Sequence, residues 1–509
     1  MHTMRFPIKT GKEKEKILDK GFRAMARYHN VIVKEAKKRL RMLKRDSEYR
    51  ILKAEYGKAA EAKDDTKKKE LGSQLNSCIR KYGLTEYALQ EYGAVYQKNY
   101  AHLISSHQAQ EEASRVFEGV KKVLYEGADE IRYKKWDEIH TIASKSWNGL
   151  RYYDPYHTEY YKKGLKPRYQ NEIEYHNTQF KVKINWKDPY VLESMQHEIK
   201  YVQIERKMFR SGWRYYIIVY LEGDPPVKQQ STEATAGIDL GVSTAAVVYD
   251  DGCRLIELAP ECRNYNDQIW KLQKQIERSQ RRHNPENYND DGTLKKGKHR
   301  WYFSNTCIRK KRKLSSLHRK KAAYTKQAHE EAVNKLIAEA NVFITEEMSF
   351  KALQRRSQKP VEKSDKEMQI TDKDGIKKTV RKNKRKKRFG SSLRDRAPSE
   401  FMIILKRKCE QQGGTVITVN TKAFRASQYD HSRDEYIKTA LSQRSKMIDG
   451  HKVQRDIYSA FLLKQSNKEG TKPDRQECIR QFDTFLDNMN NCIHEIRNSG
   501  TSYPACFGF

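Results

Sequence analysis

The chain has 509 residues, a length that favours more than one domain, and its 102 Lys and Arg outweigh 66 Asp and Glu to give a formal net charge of +36. That excess is far beyond what solubility requires, so it indicates a polyanionic partner, with nucleic acid the first choice. No apolar run reaches the roughly 20 residues of a membrane span, and the basic N-terminus lacks the apolar stretch of a secretory signal. We therefore expect a cytoplasmic, nucleoid-associated protein that contacts no membrane and takes no small-molecule substrate.

The cysteines are scattered, and no C-x-x-C pair occurs anywhere in the chain. Neither a disulfide framework nor a zinc site can be identified from such spacing. We expect reduced thiols and no bound zinc. The eight are Cys78, Cys253, Cys262, Cys307, Cys409, Cys478, Cys492 and Cys506.

The first part of the chain opens with a short strand, since His2–Lys9 alternates polar and apolar residues. Apolar residues then recur at helical spacing to about residue 140, with breaks near Tyr82-Gly83 and Gly127. This pattern predicts a helical bundle whose basic face also grips nucleic acid. From about residue 145 the pattern becomes strand-like.

Two segments carry the strand prediction in this region. Gln179–Trp186 alternates, and two strand-like runs flank Ser211-Gly212 as in a β-hairpin. Pro225-Pro226 and the polar stretch Lys228–Thr235 are typical of a linker.

Residues 236–460 alternate predicted strands and helices. A hairpin is predicted around Asp251-Gly252, and helices are predicted at residues 269–276, 315–340 and 399–412. Strands follow the last two helices, and Asn284–Lys298 is predicted to be a loop. Two antiparallel strands followed by two helix–strand crossovers favour a mixed sheet flanked by helices.

Residues 355–395 have little apolar content and include the basic run Arg381–Arg388. Their composition predicts a mobile insertion without a packed core. The run is either a solvated loop or a clamp on phosphate backbone.

Three carboxylates stand out by context. Asp239 lies between Ile238 and Leu240 in an apolar strand, where a carboxylate is costly unless it is paired or bound to metal. Its flanking glycines would let a backbone or a phosphate come close. Glu346 follows a buried strand, at the end where ligands bind in open α/β sheets. Asp456 borders the buried face of a helix.

Together the three suit hard divalent cations, because these prefer oxygen ligands. Two Mg²⁺ or Mn²⁺ ions about 4 Å apart can activate water and stabilise the leaving oxygen of a phosphodiester. Taken singly, each carboxylate is as compatible with a helix cap or a surface ion pair.

The motifs around these carboxylates resemble a known family. Gly237–Val248 (GIDLGVSTAAVV), Ile344–Met348 (ITEEM) and Gln454–Leu463 (QRDIYSAFLL) are similar, in order and spacing, to the three RuvC motifs of TnpB and the compact type V CRISPR effectors. Supporting matches occur at residues 281–297, 424–431 and 441–444. The resemblance is strong over about 235–465 and weaker upstream.

The resemblance implies an α/β plus α architecture. An RNase H-like (RuvC) nuclease domain would occupy 229–509, and a helical recognition lobe at 11–140 would be inserted in a β-rich wedge domain formed by 1–10 and 141–228. It implies a Mg²⁺-dependent endodeoxyribonuclease that binds a structured guide RNA and cleaves complementary double-stranded or single-stranded DNA, with Asp239, Glu346 and Asp456 catalytic. The nucleic-acid-binding candidates are Arg281, Arg282, Lys384, Arg385, Lys386, Lys387, Arg388, Ser427, Arg444 and Arg455.

One departure from the family is visible. The family usually carries a zinc ribbon of two C-x-x-C pairs before the third motif, but Gln428–Val453 contains no cysteine. We expect a degenerate, metal-free target-nucleic-acid-binding region at about 428–453.

Two other functions stay open. A catalytically silent RNA-guided DNA-binding regulator is disfavoured by the presence of all three carboxylates. An unguided RNase H-like nuclease or transposase would not need a large helical lobe. RNA that copurifies with the protein would discriminate between them.

Overall fold

The computed structural model describes residues 1–144, 149–157, 171–227, 232–354, 363–371, 377–383, 389–438, 443–467, 469–500 and 503–509. They form two compact units, Met1–Pro226 and Val227–Phe509. The boundary follows Pro225-Pro226, and part of the expected linker, residues 228–231, lies outside the described residues.

The first unit combines long helices with short sheets. Its helices are α1 (Lys12–Arg45), α2 (Ser47–Glu61), α3 (Asp65–Lys81), α4 (Glu86–Gln97), α5 (Ser106–Tyr125) and α6 (Pro189–Ser194), with 3₁₀ turns at Lys98–Tyr100 and Trp136–Glu138. Its strands are β1 (His2–Pro7), β2 (Thr141–Ala143), β3 (Arg151–Tyr153), β4 (Glu172–Tyr175), β5 (Thr178–Lys181), β6 (Ile199–Phe209) and β7 (Gly212–Leu221).

The first strand of the chain is built into a sheet of the order β1-β7-β6-β2. β6 and β7 form the hairpin predicted around Ser211-Gly212, and β1 pairs antiparallel with β7. The helices between β1 and β2 are therefore inserted between two strands of one sheet. The α1 helix follows the predicted pattern, burying Leu18, Phe22 and Ile32 against the same core as the sheet.

In this unit the sequence predicted a longer helical region and a longer strand than the structure contains. The helical segments end at Tyr125 rather than near residue 140, and strand β2 begins at Thr141. The alternating run Gln179–Trp186 yields only the short strand β5, after which Val182 makes a single bridge to Ile8. Asn185 and Asp188 then turn the chain into α6, since their side chains accept hydrogen bonds from backbone N–H groups two residues on.

The second unit alternates strands and helices. Its strands are β8 (Thr235–Leu240), β9 (Thr244–Val248), β10 (Cys253–Glu257), β11 (Val342–Glu346), β12 (Lys363–Thr371), β13 (Lys377–Asn383), β14 (Thr415–Val419), β15 (Tyr429–Asp430), β16 (Glu435–Tyr436), β17 (Ser445–Ile448) and β18 (His451–Gln454). Its helices are α7 (Cys262–His283), α8 (Asn305–Ile337), α9 (Phe350–Gln354), α10 (Gly390–Arg396), α11 (Pro398–Gln411), α12 (Thr421–Phe424), α13 (Arg455–Lys464) and α14 (Arg475–Asn498), with 3₁₀ turns at Pro285–Asn287 and Ala505–Phe507.

The central sheet of this unit has the order β10-β9-β8-β11-β14. β8, β9 and β10 are antiparallel neighbours, whereas β11 is parallel to both β8 and β14. The predicted mixed sheet with two helical crossovers is confirmed, as is the hairpin around Asp251-Gly252.

Helices cover both faces of the sheet. Ile238 and Phe343 point into a core with α8 and α11, while Ala246 and Ile344 point into a core with α13 and α14. Because side chains alternate along a strand, Asp239 and Glu346 lie on the α13 face.

The predicted insertion at 355–395 needs correction. The backbone of β12 and β13 pairs as an antiparallel hairpin, and α10 follows it. The alternation of polar and apolar residue types around Met368 and Ile370 in the sequence is compatible with a strand. Residues 384–388, which carry most of the basic run, lie outside the described residues.

Two helices also differ from the prediction. α8 begins at Asn305, ten residues earlier than expected, because Ser304 caps the backbone N–H of Cys307 and the following Lys and Arg residues favour a helix. α14 was not predicted, although Phe482, Phe485 and Met489 recur at helical spacing and pack on α13.

Within the described residues, no helix combines the length and the apolar composition that crossing a bilayer requires.

Candidate active site

Asp239 lies near the carboxyl end of β8, the central strand of the sheet. Its neighbours Ile238 and Leu240 are buried in the opposite core, which fixes the Asp239 side chain on the face that α13 covers. The buried Ser459, on α13, lies within hydrogen-bonding reach of this carboxylate and lowers its pKa, while its hydroxyl donates to the carbonyl oxygen of Arg455 at 3.0 Å.

Gly237 allows helix α13 to pack closely on strand β8. A Cβ at Gly237 would overlap the carbonyl oxygen of Ala460 and approach the backbone nitrogen of Lys464. Of the two close approaches expected at the flanking glycines, a backbone or a phosphate, Gly237 admits a backbone, that of α13, and this close packing brings Ser459 near Asp239.

Glu346 is the last residue of β11. Thr345 pairs with Ile238 in the parallel ladder, so Glu346 and Asp239 follow at neighbouring positions of adjacent strands. The backbone N–H of Ala426 donates to Glu346 Oε1 at 2.8 Å. Ala426 follows the left-handed residue Arg425 at the end of α12, so this turn orients the Glu346 carboxylate.

Asp456 lies in the first turn of α13, where the helix dipole favours a negative charge. The Nε and Nη2 of Arg455 donate to Asp456 Oδ1 at 3.0 and 2.8 Å. Arg444 Nη1 lies 3.8 Å from Oδ2. Asp456 is thus held by two guanidinium groups.

The charges of the other two carboxylates act on Asp239. Burial raises the pKa of Asp239 to about 8, and the charges of Asp456 and Glu346 act in the same direction, against Arg455 and the Ser459 hydroxyl. Burial also raises the pKa of Glu346, opposed by the Ala426 hydrogen bond. Concentrated negative charge of this kind is unfavourable without a cation, and such perturbed groups mark functional sites.

The donor chemistry suits a hard divalent cation, because these side chains offer carboxylate oxygens only. The repulsion that Asp456 and Glu346 exert on Asp239 is the observation that fits such an ion. Across the ranges that the structure describes, however, no three His, Cys, Asp or Glu side chains are already grouped to hold a metal. The engagement of Asp456 with Arg455 and Arg444 is a physical reason for this.

The predicted nucleic-acid-binding residues fall in different places. Arg281 and Arg282 are exposed at the end of α7, and Arg281 pairs with Glu277 at 3.0 Å. Ser427 is exposed, and its carbonyl accepts a hydrogen bond from Lys446. Arg444 and Arg455 contact Asp456. Five of the predicted residues lie outside the described residues: Lys384, Arg385, Lys386, Lys387 and Arg388.

Sequence reasoning missed two groups beside the carboxylates, the Ala426 amide and Ser459, and it missed the buried Lys446, whose amine donates to the carbonyl of Ser427. Ala426 lies in the 424–431 motif and Ser459 in the third carboxylate motif, so both were within quoted segments, but motif matching does not say which atom donates. Burial, with the nearby charge of Arg455, lowers the pKa of Lys446.

No protein-family model matches the sequence, and no curated protein matches it. Among solved structures, the chain aligns with the Cas12f1 protein of a cryo-EM Cas12f1–sgRNA–target DNA complex at 11% identity and a TM-score of 0.45, covering 92% of this chain and 99% of that one. It also aligns with a CRISPR–Cas12f ternary complex at 9% identity and a TM-score of 0.27, covering 93% and 100%.

Proposed function

We propose that the protein is an RNA-guided DNA endonuclease with an RNase H-like (RuvC-type) nuclease domain in its second unit. The observation that supports the proposal is the proximity of the three carboxylates. Asp239 and Glu346 occupy neighbouring positions of the adjacent strands β8 and β11, on the face that α13 covers, and the charges of Glu346 and of Asp456 on α13 add to burial in raising the pKa of Asp239.

Each side chain has a defined task in this proposal. Asp239, Glu346 and Asp456 would hold Mg²⁺ or Mn²⁺, and such ions activate water and stabilise the leaving oxygen. Ser459 and the Ala426 amide keep Asp239 and Glu346 in fixed orientations, which reduces reorganisation during the reaction.

Arg444 and Arg455 have a second possible partner in this scheme. Guanidinium groups bind phosphate oxygens as well as carboxylates. A phosphodiester entering the site would draw them from Asp456, which frees that carboxylate for the cation.

The partners and cofactors follow from the same assignment. A structured guide RNA would supply sequence specificity, and target DNA would be bound as duplex and as separated strands. The basic run at 384–388 would clamp phosphate backbone, the 428–453 region would work without zinc, and the protein would act in the cytoplasm at the nucleoid.

A silent RNA-guided DNA-binding regulator is the second candidate. The ion pairs of Asp456 with Arg455 and Arg444 favour it, because they occupy a carboxylate that cleavage would need. The two candidates differ in whether phosphodiester bonds are broken.

The test uses Asp239→Ala, Glu346→Ala and Asp456→Ala in the full chain, with whatever RNA copurifies. Each variant should lose DNA cleavage in Mg²⁺ by a factor of at least about 10³, because a lost metal ligand removes several kcal/mol of transition-state stabilisation. Affinity for RNA and DNA should stay within about threefold, since these residues are not assigned to duplex contacts.

The matched control is Asp483→Ala, an exposed aspartate on α14 in the same unit, which should cleave normally. Near-normal cleavage by any one of the three variants would remove that residue from the catalytic set. An unaltered protein that binds guide and target but cleaves neither strand would favour the silent regulator.

A further inference from the structure

Trp270 is a large aromatic side chain exposed on the surface of the second unit. Its neighbours on α7, Ile269, Leu272 and Ile276, are buried against α8. Trp270 points away from that contact and remains 60% exposed. A single exposed apolar residue needs no explanation by itself, so the surroundings decide its meaning.

Trp270 lines two grooves. The first, of about 640 Å³, is lined along α7 by Lys271, Lys274, Arg278 and Arg281 as well as Trp270. The second, of about 500 Å³, is also lined by Trp270. Polar and basic residues line it, among them Gln273, His318, Lys321 and Arg394.

The basic residues of the first groove form a stripe. Positions 270, 274, 278 and 281 recur at helical spacing, so the indole and the cationic groups share one face of α7. The stripe extends about 16 Å at 1.5 Å per residue. Glu277 offsets part of the charge, through Arg281 at 3.0 Å and Lys274 at 3.5 Å.

The adjoining helix adds charge of the same sign. From Asn305 to Lys321, α8 carries many Lys and Arg residues and no Asp or Glu. Such a surface attracts phosphate backbone and repels a second copy of a chain whose net charge is +36.

We propose that Trp270 stacks on an unpaired base of a nucleic-acid strand whose phosphates lie along Lys271, Lys274, Arg278 and Arg281. An aromatic ring beside a cationic groove is the arrangement by which proteins hold single strands, because every base has a π-face. Bases within a duplex are stacked on each other, so the ring discriminates in favour of a single strand.

This inference rests on the proposed function in one respect, namely that the ligand is a nucleic acid. It adds a site for the separated strand, distinct from the carboxylates, on a helix that those residues do not use. An RNA strand and a DNA strand would both satisfy the ring, and binding assays with each distinguish them.

The experiment measures equilibrium binding of labelled 20-nucleotide single strands and of duplexes to the full chain, freed of copurified nucleic acid and kept in EDTA. Trp270→Ala should weaken single-strand binding about tenfold, the effect of losing one stacked base, and leave duplex binding within about twofold. Trp270→Phe, which keeps a stacking face, should lie within about threefold of the unaltered protein.

Two further variants separate stacking from charge. Ile403→Ala removes another exposed apolar side chain, 67% exposed on α11, and should change nothing. Lys274→Ala with Arg278→Ala should make the slope of log affinity against log salt shallower, by about 0.7 for each phosphate of a single strand that is no longer neutralised. Trp270→Ala should leave that slope unchanged.

Equal losses on single strands and duplexes, or no loss for Trp270→Ala, would overturn the proposal. So would light scattering that shows Trp270→Ala dissociating a dimer while nucleic-acid affinity stays the same, since the surface would then join two copies of the chain. A protein that binds single strands through Trp270 but never cleaves would contradict the proposed function alone.

Discussion

At Asp239, burial and the charges of two other carboxylates act on one side chain. Residue patterns singled out Asp239, Glu346 and Asp456 as candidate site residues, because an acid inside or beside an apolar strand or helix is conspicuous in a sequence. The groups that orient them are not conspicuous. A backbone N–H at Ala426 and a hydroxyl at Ser459 become significant only when the chain is folded, since they come from distant segments.

Asp456 illustrates the same limit of sequence reasoning. Its neighbour Arg455 was predicted to bind nucleic acid, as basic residues near a nuclease motif commonly do. In the folded chain Arg455 donates two hydrogen bonds to Asp456 and a third to the carbonyl of Gln443 at 3.1 Å. Side-chain direction on the first turn of a helix decides this, and the sequence does not specify it.

His329 gives a prediction at the residue scale. It is buried in α8 against the ring of Phe401, and burial lowers its pKa to about 4. In the unfolded chain the same histidine titrates near 6.5, so between about pH 6.5 and pH 4 the unfolded state binds a proton that the folded state does not. The free energy of unfolding therefore falls as the pH falls through this window, by up to about 3 kcal/mol.

His329→Gln removes this titration. Urea unfolding of the variant at several pH values should show a loss of stability between pH 6.5 and pH 4 that is smaller by up to about 3 kcal/mol than in the unaltered protein. His283→Gln, at an exposed histidine on α7, is the control and should keep the original pH dependence. Parallel curves for His329→Gln and the unaltered protein would show that the site admits the charged form.

At the scale of elements, hairpins and crossovers were accessible from the sequence because turn residues and apolar periodicity are local. The hairpins at Ser211-Gly212 and Asp251-Gly252 and the strands β11 and β14 are examples. The failures have physical causes as well. At the start of α8 the apolar residues Cys307, Leu314 and Leu317 are sparse among basic ones, and β12–β13 is a backbone hairpin in a segment of low apolar content.

The contact between β8 and α13 gives a prediction at this scale. Gly237→Ala would place a methyl group against the backbone of Ala460 and Lys464, which cannot move as a flexible side chain would. We expect unfolding of the second unit to become easier by about 1–3 kcal/mol, as for other overpacked cores. DNA cleavage should fall as well, because α13 carries Asp456 and Ser459.

Gly252→Ala is the matched control for that change. Gly252 lies in the turn between β9 and β10, and an added Cβ there meets open space. Thermal unfolding of the two variants should therefore differ, with the lower transition temperature in Gly237→Ala. Equal transition temperatures would mean that α13 can shift away from β8 without cost.

At the scale of the whole molecule, the charge of +36 and the division into two compact units both bear on the kind of partner that the protein binds. The charge by itself indicates a polyanionic partner. The second unit nevertheless contains a site at which negatively charged side chains lie near one another. The proposed function assigns phosphodiester cleavage to this site. The first unit carries none of the three carboxylates.

The central claim is cleavage directed by a bound RNA, and one measurement tests it most directly. The purified chain, with the RNA that copurifies with it, is incubated in Mg²⁺ with two DNA duplexes, one complementary to that RNA and one of scrambled sequence. We predict cleavage of the complementary duplex only, and its loss when the RNA is removed. Equal cleavage of both duplexes, or cleavage by RNA-free protein, would contradict the account and favour an unguided nuclease.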